Sequence, residues 1–211
     1  MIKMELETLF TEQKWNILKL LSQQDFSPLQ LSQHSNTTMA NISQQLRLLE
    51  ASSLVGKRKI PNRDRGKPRT LFHLNKDFGY LIQVSDGFAQ KRLLDLDGFQ
   101  RALLTTFFLE NKALHYLLQK WFWKIESSLQ YIDAILIDEE ANAGFSSKIA
   151  LVIVTPKVDA LKKKIGAMTL EDPKGSVVTV QAECLEQMSA KKRPMTILYD
   201  PRKIASKQYS Q

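Results

Sequence analysis

Two groups of side chains have types and spacing that can do chemistry, and that chemistry is recognition of a polyanion. Between positions 57 and 69 stand Lys57, Arg58, Lys59, Arg63, Arg65, Lys67 and Arg69, opposed only by Asp64, in a chain whose net charge is +8. Cations clustered this closely can neutralise successive phosphates and release their counterions. Just upstream, Thr37, Thr38, Asn41, Gln44, Gln45 and Arg47 recur at spacings that share the outer face of one helix. Hydroxyls, amides and a guanidinium are the groups that hydrogen-bond base edges and phosphates in a DNA groove. Taken singly, a basic run is also a solubilising loop and a polar helix face is also a wet one. Their adjacency in sequence favours recognition.

Bond-making chemistry has no comparable signal. The chain lacks a glycine-rich phosphate loop and a nucleophile spaced to a base, and His34, His73 and His115 are scattered. A single cysteine, Cys184, can form neither an intrachain disulfide nor a cysteine zinc cluster. The expectation is therefore no catalysis, no metal and no cofactor, in a reducing, cytoplasmic location. No apolar run approaches the roughly 20 residues of a membrane span, and the N-terminus has no signal-peptide core. With 43% hydrophobic and 25% charged residues in 211, the composition excludes wholesale disorder and allows one large domain or two small ones.

The elements that must position these groups can be read from periodicity and caps. Thr11 is placed to cap a first helix whose apolar face holds Trp15, Ile17, Leu18, Leu20 and Leu21. Ser27, Pro28 and Gln30 form a capping box with proline at the first helical position, opening a short helix with Leu29 and Leu31 that ends near His34. Asn36 is placed to cap a third helix, with Met39, Ile42, Leu46 and Leu49 facing the core. Residues 54–60 and 69–74 read as strands around a turn-rich tip at 61–68. Three helices followed by a basic hairpin is the order of a winged helix-turn-helix, in which the third helix enters the major groove and the hairpin lies along the backbone or minor groove.

Residues 38–55, TMANISQQLRLLEASSLV, resemble the recognition helix and strand entry of ArsR-type winged-helix regulators, and the likeness extends over about residues 9–80. The resemblance implies that Asn41, Ser43, Gln44, Gln45 and Arg47 approach DNA, with Arg63, Arg65 and Lys67 on the wing. Ser53 stands where that family has glycine, which implies a less sharply turned helix end. Metal-sensing members carry clustered cysteines or histidines, so this chain is not expected to sense a metal.

Residues 86–129 read as helix, interrupted near Asp97-Gly98 and Asn111. Leu114, Leu117, Leu118, Trp121, Phe122, Ile125 and Leu129 form one stripe, and Leu103, Leu104, Phe107 and Phe108 a second apolar cluster, to be covered by the C-terminal region or by a second subunit. Trp121 and Trp123, two apart, point in different directions and make no aromatic cage. Beyond, 131–137, 148–155, 176–184 and 195–199 read as strands, with a helix at 158–168 and a turn at 172–175. This order resembles the minimal nucleotidyltransferase fold. Laid over that family, the positions of its metal-binding acidic pair hold Lys148 and Ala150, which cannot ligate magnesium. The nearby acids are Asp138, Glu139, Glu140 and Glu183, and the resemblance implies a non-catalytic domain. Lys191, Lys192, Arg193, Arg202 and Lys203 form a basic tail that is either solvated or in contact with phosphate.

The sequence thus points to an α+β chain: a winged helix-turn-helix at 1–84, a helical connector at 85–130 that can hold a dimer interface, and a small α/β domain at 131–211. The expected function is transcription regulation by a homodimer that reads double-stranded DNA through a recognition helix (37–50) and a basic wing (57–69 with Arg58, Lys59 and Arg69), outside any membrane, its effector unidentified. The alternatives are a nucleotidyltransferase-like enzyme using displaced acids, and a winged-helix module that binds another protein.

Overall fold

A computed structural model describes residues 10–61, 68–140, 142–144, 147–186 and 195–205. The protein is a mixed α+β chain that divides into two compact units at Leu96/Asp97. No helix among the described residues is long and apolar enough to cross a membrane.

The first unit opens with α1 (Glu12–Gln23), α2 (Pro28–His34) and α3 (Met39–Ala51). Two strands follow, β1 (Val55–Ile60) and β2 (Arg69–Leu74), paired antiparallel with Lys59 opposite Thr70 and Ile60 opposite Arg69. In α1 the buried positions are Lys14, Ile17, Leu18 and Leu21, an i, i+3, i+4, i+7 stripe, whereas Trp15 lies a quarter-turn away and is exposed. Thr11 holds the N-cap position without a side-chain hydrogen bond. The capping box at α2 forms in full: Ser27 Oγ accepts from the Gln30 N–H, and Gln30 Oε1 accepts from the Ser27 N–H. Of its two leucines, Leu31 is buried and Leu29 exposed.

The cap of α3 is Thr38, not Asn36: Thr38 Oγ1 accepts from the Asn41 N–H, while Asn36 takes a left-handed turn conformation before it. Ile42, Leu46 and Leu49 are buried as their spacing predicts, but Met39 is exposed. Side chains lean toward the helix N-terminus, so the first helical residue projects beyond the core. At the other end Ser53 adopts φ +58°, its N–H bonding to the Glu50 carbonyl and the Leu54 N–H to that of Leu49. This is a complete Schellman ending, and the helix stops as sharply as it would with glycine. Phe26 and Phe72 exchange backbone hydrogen bonds of 3.1 and 2.8 Å, tying the α1–α2 turn to β2.

The reading of 86–95 as helix is wrong. β3 (Phe78–Ser85) and β4 (Phe88–Asp95) form a two-residue hairpin turning on Asp86 and Gly87, with Gly87 at φ +72°. Asp-Gly between two apolar runs is a hairpin signal because the glycine takes the left-handed position without a steric penalty. Helix resumes at α4 (Gly98–Thr106), capped by Asp97, and the expected boundary at 84/85 falls within this hairpin.

The second unit consists of α4, α5 (Ala113–Ile125) with a following 3-10 turn (Glu126–Tyr131), and a five-stranded sheet. Its strands are β5 (Ala134–Ile137), β6 (Lys148–Val154), β7 (Ala167–Glu171), β8 (Val177–Leu185) and β9 (Thr196–Tyr199), with α6 (Val158–Ile165) between β6 and β7. The order is β7-β8-β6-β5-β9, with β6 and β8 parallel and the other pairs antiparallel. The predicted stripe on α5 is buried, together with Ile135, Ile137, Leu151 and Ile153 from one face of the sheet. Ala134, Leu136, Val152 and Val154 bury the other face, so β6 is enclosed on both faces from Leu151 to Val154, whereas Lys148 and Ala150 at its start are exposed. The helix expected over 158–168 ends at Ile165, and β7 occupies the remainder. Phe107 and Phe108 stay exposed.

The Ser53 conformation generates a stability prediction. A non-glycine residue held in the left-handed region costs about 1 kcal/mol. Ser53→Gly should therefore raise unfolding stability by about that amount, read as an increased midpoint in chemical denaturation, and Ser53→Val should lower it by more.

Candidate nucleic-acid interface

Burial of Ile42, Leu46 and Leu49 turns the opposite side of α3 to solvent. Gln44 and Arg47 are exposed there, with Ser43 half-buried beside them and Thr38 exposed at the helix start. Thr37, Asn41 and Gln45, spaced i, i+4, i+8, bond to one another instead. Asn41 Nδ2 donates to Thr37 Oγ1 at 3.0 Å and to Gln13 Oε1 of α1 at 3.3 Å, and Gln45 Nε2 donates to Asn41 Oδ1 at 3.1 Å. Two of the amides expected to face a ligand are thereby engaged within the protein, and the i, i+4 spacing was the available signal.

The β1–β2 hairpin brings its cations beside α3. An open cleft between them is lined by Ser43, Arg47, Glu50, Lys57, Lys59 and Thr70. Two of the hairpin's cations are already paired. Lys57 Nζ lies 2.8 Å from Glu50 Oε1 at the end of α3, and Arg58 Nη2 lies 2.8 Å from Asp25 Oδ2. Arg47, Lys59 and Arg69 have no such acid among the described residues. Arg63, Arg65 and Lys67 lie outside the described residues, as do Lys191, Lys192 and Arg193 of the tail. Arg202 of that tail pairs with Asp133 at 2.6 Å. The cleft presents the half-buried Ser43 hydroxyl and the Arg47 guanidinium along one border and ammonium and guanidinium groups along the other, which suits an anion.

The acids of the second unit are placed differently. Glu139 Oε1 accepts from the Thr196 hydroxyl and its Oε2 from the Glu110 N–H, so both oxygens serve as structural acceptors. Asn142, fully enclosed, donates to the carbonyls of Asp138 (2.7 Å) and Ala150 (3.0 Å) and accepts from the Ala150 N–H (2.9 Å), clamping the β5–β6 connection. Lys148 and Ala150 lie on β6 opposite Thr179 and Gln181 of β8, and Glu183 lies opposite Val152. Among the described residues no three His, Cys, Asp or Glu side chains converge as a metal site would require. Burial pushes the Cys184 thiol pKa up, away from the reactive thiolate.

No protein-family model matches the sequence, and no curated protein matches it.

The two ion pairs suppress part of the positive field, so removing either acid releases a cation. Glu50→Gln and Asp25→Asn should each tighten binding to heparin and steepen its dependence on salt by about one unit of slope, the increment of one added phosphate-type contact. The comparison of elution salt for the two variants and the parent protein measures it.

Proposed function

We propose that the first unit is a winged helix-turn-helix and that the protein is a non-enzymatic, homodimeric transcription regulator that reads duplex DNA in the cytoplasm. The observation that carries this reading is the cleft lined on one side by Ser43 and Arg47 of α3 and on the other by the basic β1–β2 hairpin, with Gln44 exposed on the same helix. In this reading α3 enters the major groove, with Gln44 and Arg47 on base edges and Thr38 and Ser43 close to phosphates. The hairpin is the wing, with Lys59 and Arg69 on the sugar-phosphate backbone, and Arg63, Arg65 and Lys67, which fall between its strands in sequence, add phosphate contacts. Asn41 and Gln45 hold the helix surface in shape through Thr37 and Gln13, and Lys57 and Arg58 contribute fully only when phosphate displaces Glu50 and Asp25.

This division of labour has separable signatures in fluorescence-anisotropy titrations with duplex DNA. Arg63→Ala/Arg65→Ala should weaken binding to all sequences alike and lower the salt slope by about 2. Gln44→Ala should instead change the preference among sequences, worth about 1–3 kcal/mol at the affected base pair, and leave the salt slope in place. Salt-insensitive or absent binding by the parent protein, or an equal loss on every sequence for both variants, overturns the reading.

A further inference from the structure

The β3–β4 hairpin forms a two-stranded sheet of its own. Every residue from 81 to 92 is exposed, including Ile82 (66%) and Val84 (77%). The register places Tyr80, Ile82 and Val84 of β3 on one face, with Leu93, Lys91 and Ala89 of β4 directly opposite them. At its base this face belongs to the core of its unit: Phe78 and Leu93 pack against the buried cluster, and Phe10 stacks on Tyr80 with ring centres 4.8 Å apart. Halfway along the hairpin the cover stops, and the apolar stripe continues on β3 through Ile82 and Val84, beside Lys91 and Ala89 of β4. A hairpin of two strands is marginal by itself, and stability takes a third strand or a packed face.

The two edges of this sheet are unlike. β4 carries Lys91 and Arg92, the charged residues that keep an edge from pairing with another chain. β3 reads FGYLIQVS, eight residues without a charge, and among the described residues its outer edge pairs with no strand. A two-fold axis at Ile82 would set Ile82 opposite its own copy and Tyr80 opposite Val84. These positions differ by even numbers, so all of them fall on the same face. No like charges meet along such a seam, whereas the same operation on β4 at Lys91 sets lysine against lysine.

We propose that β3 is a homodimerisation edge, at which two copies of this chain pair antiparallel near Ile82 to make one four-stranded sheet, β4-β3-β3-β4, with Tyr80, Ile82 and Val84 of both copies on one continuous apolar face. The proposal names the interface of the homodimer in the preceding reading and rests on that reading for its purpose, but its test contains no DNA, so each can fail alone. Sedimentation velocity on the full chain over a range of concentrations should show a reversible dimer. Ile82→Lys/Val84→Lys should weaken it roughly tenfold or more, since each substitution counts twice across the axis. Circular dichroism and the thermal midpoint establish that the variant is folded. In a Cys184→Ser background, Ile82→Cys should be cross-linked between two chains by a short bis-maleimide, because directly opposed β-carbons lie about 4.5–5.5 Å apart. Gln90→Cys, on β4, should not. A protein that is monomeric throughout, or a dimer that the double lysine variant leaves intact, overturns the proposal, as does a failure of Ile82→Cys to cross-link.

Discussion

The complete burial of Ile42, Leu46 and Leu49 fixes the rotation of α3 about its own axis, and the placement of the candidate interface follows from it. Each of these side chains contributes about 1.5–3 kcal/mol by leaving water, more than any single polar contact on the opposite face. At about 100° per residue Gln44 and Leu46 lie on opposite sides of the axis, so a rotation that hid Gln44 would draw Leu46 out of the core. The core therefore decides which groups face solvent, and Gln44 and Arg47 are outside because Leu46 and Leu49 are inside. The same core reaches through Leu54 and Val55 into β1, which leaves the burial layer at Gly56 and carries Lys57, Arg58 and Lys59 outward beside the helix.

Charge and hydrogen bonding are weaker, and they distribute the polar groups among roles. Seven cations in the 57–69 run count equally in the sequence, but Lys57 and Arg58 each meet an acid from elsewhere in the same unit. Exposed pairs of this kind contribute little to stability, which makes them exchangeable for a stronger anion. Their effect is on the field that an approaching polyanion meets. Asn41 and Gln45 illustrate the same point for amides: a side chain on the solvent side of a helix is not thereby available, because a neighbour four residues away can engage it.

Features set by nearest neighbours in the chain were legible in the sequence. The Ser27-Gln30 box, the Ile42-Leu46-Leu49 stripe, the α5 stripe and the apolar β6 run all depend on local period or on one capping residue. Features set by long-range pairing were not. Beyond its base the β3–β4 hairpin is exposed on both faces, and β4 lacks the alternation that marks a half-buried strand, so Lys91-Arg92-Leu93-Leu94 reads as helix. Only Asp86-Gly87 signals the turn. β7 is five residues long with Leu170 alone buried, too short a pattern to separate from the end of α6. The Phe26–Phe72 bridge, the Glu50 and Asp25 ion pairs and the Asn142–Ala150 bonds join residues between 7 and 46 positions apart, beyond what local pattern reports.

Both ends of α3 use left-handed residues that are not glycine, Asn36 before it and Ser53 after it. Such a conformation persists only where surrounding contacts over-determine it. At Ser53 those contacts are the two Schellman hydrogen bonds, and Asn75 adds to them from just beyond β2. Its Nδ2 donates to the Ser53 carbonyl at 3.2 Å and its backbone N–H to the Leu54 carbonyl at 3.0 Å. The end of the helix and the end of the hairpin are thus bonded through one residue, directly under the start of β1. That joint leaves α3 and the β1–β2 hairpin little freedom to move independently. The polar border and the basic border of the cleft are held as one surface, and a ligand that engages both meets a spacing set before it arrives, without ordering either element on binding.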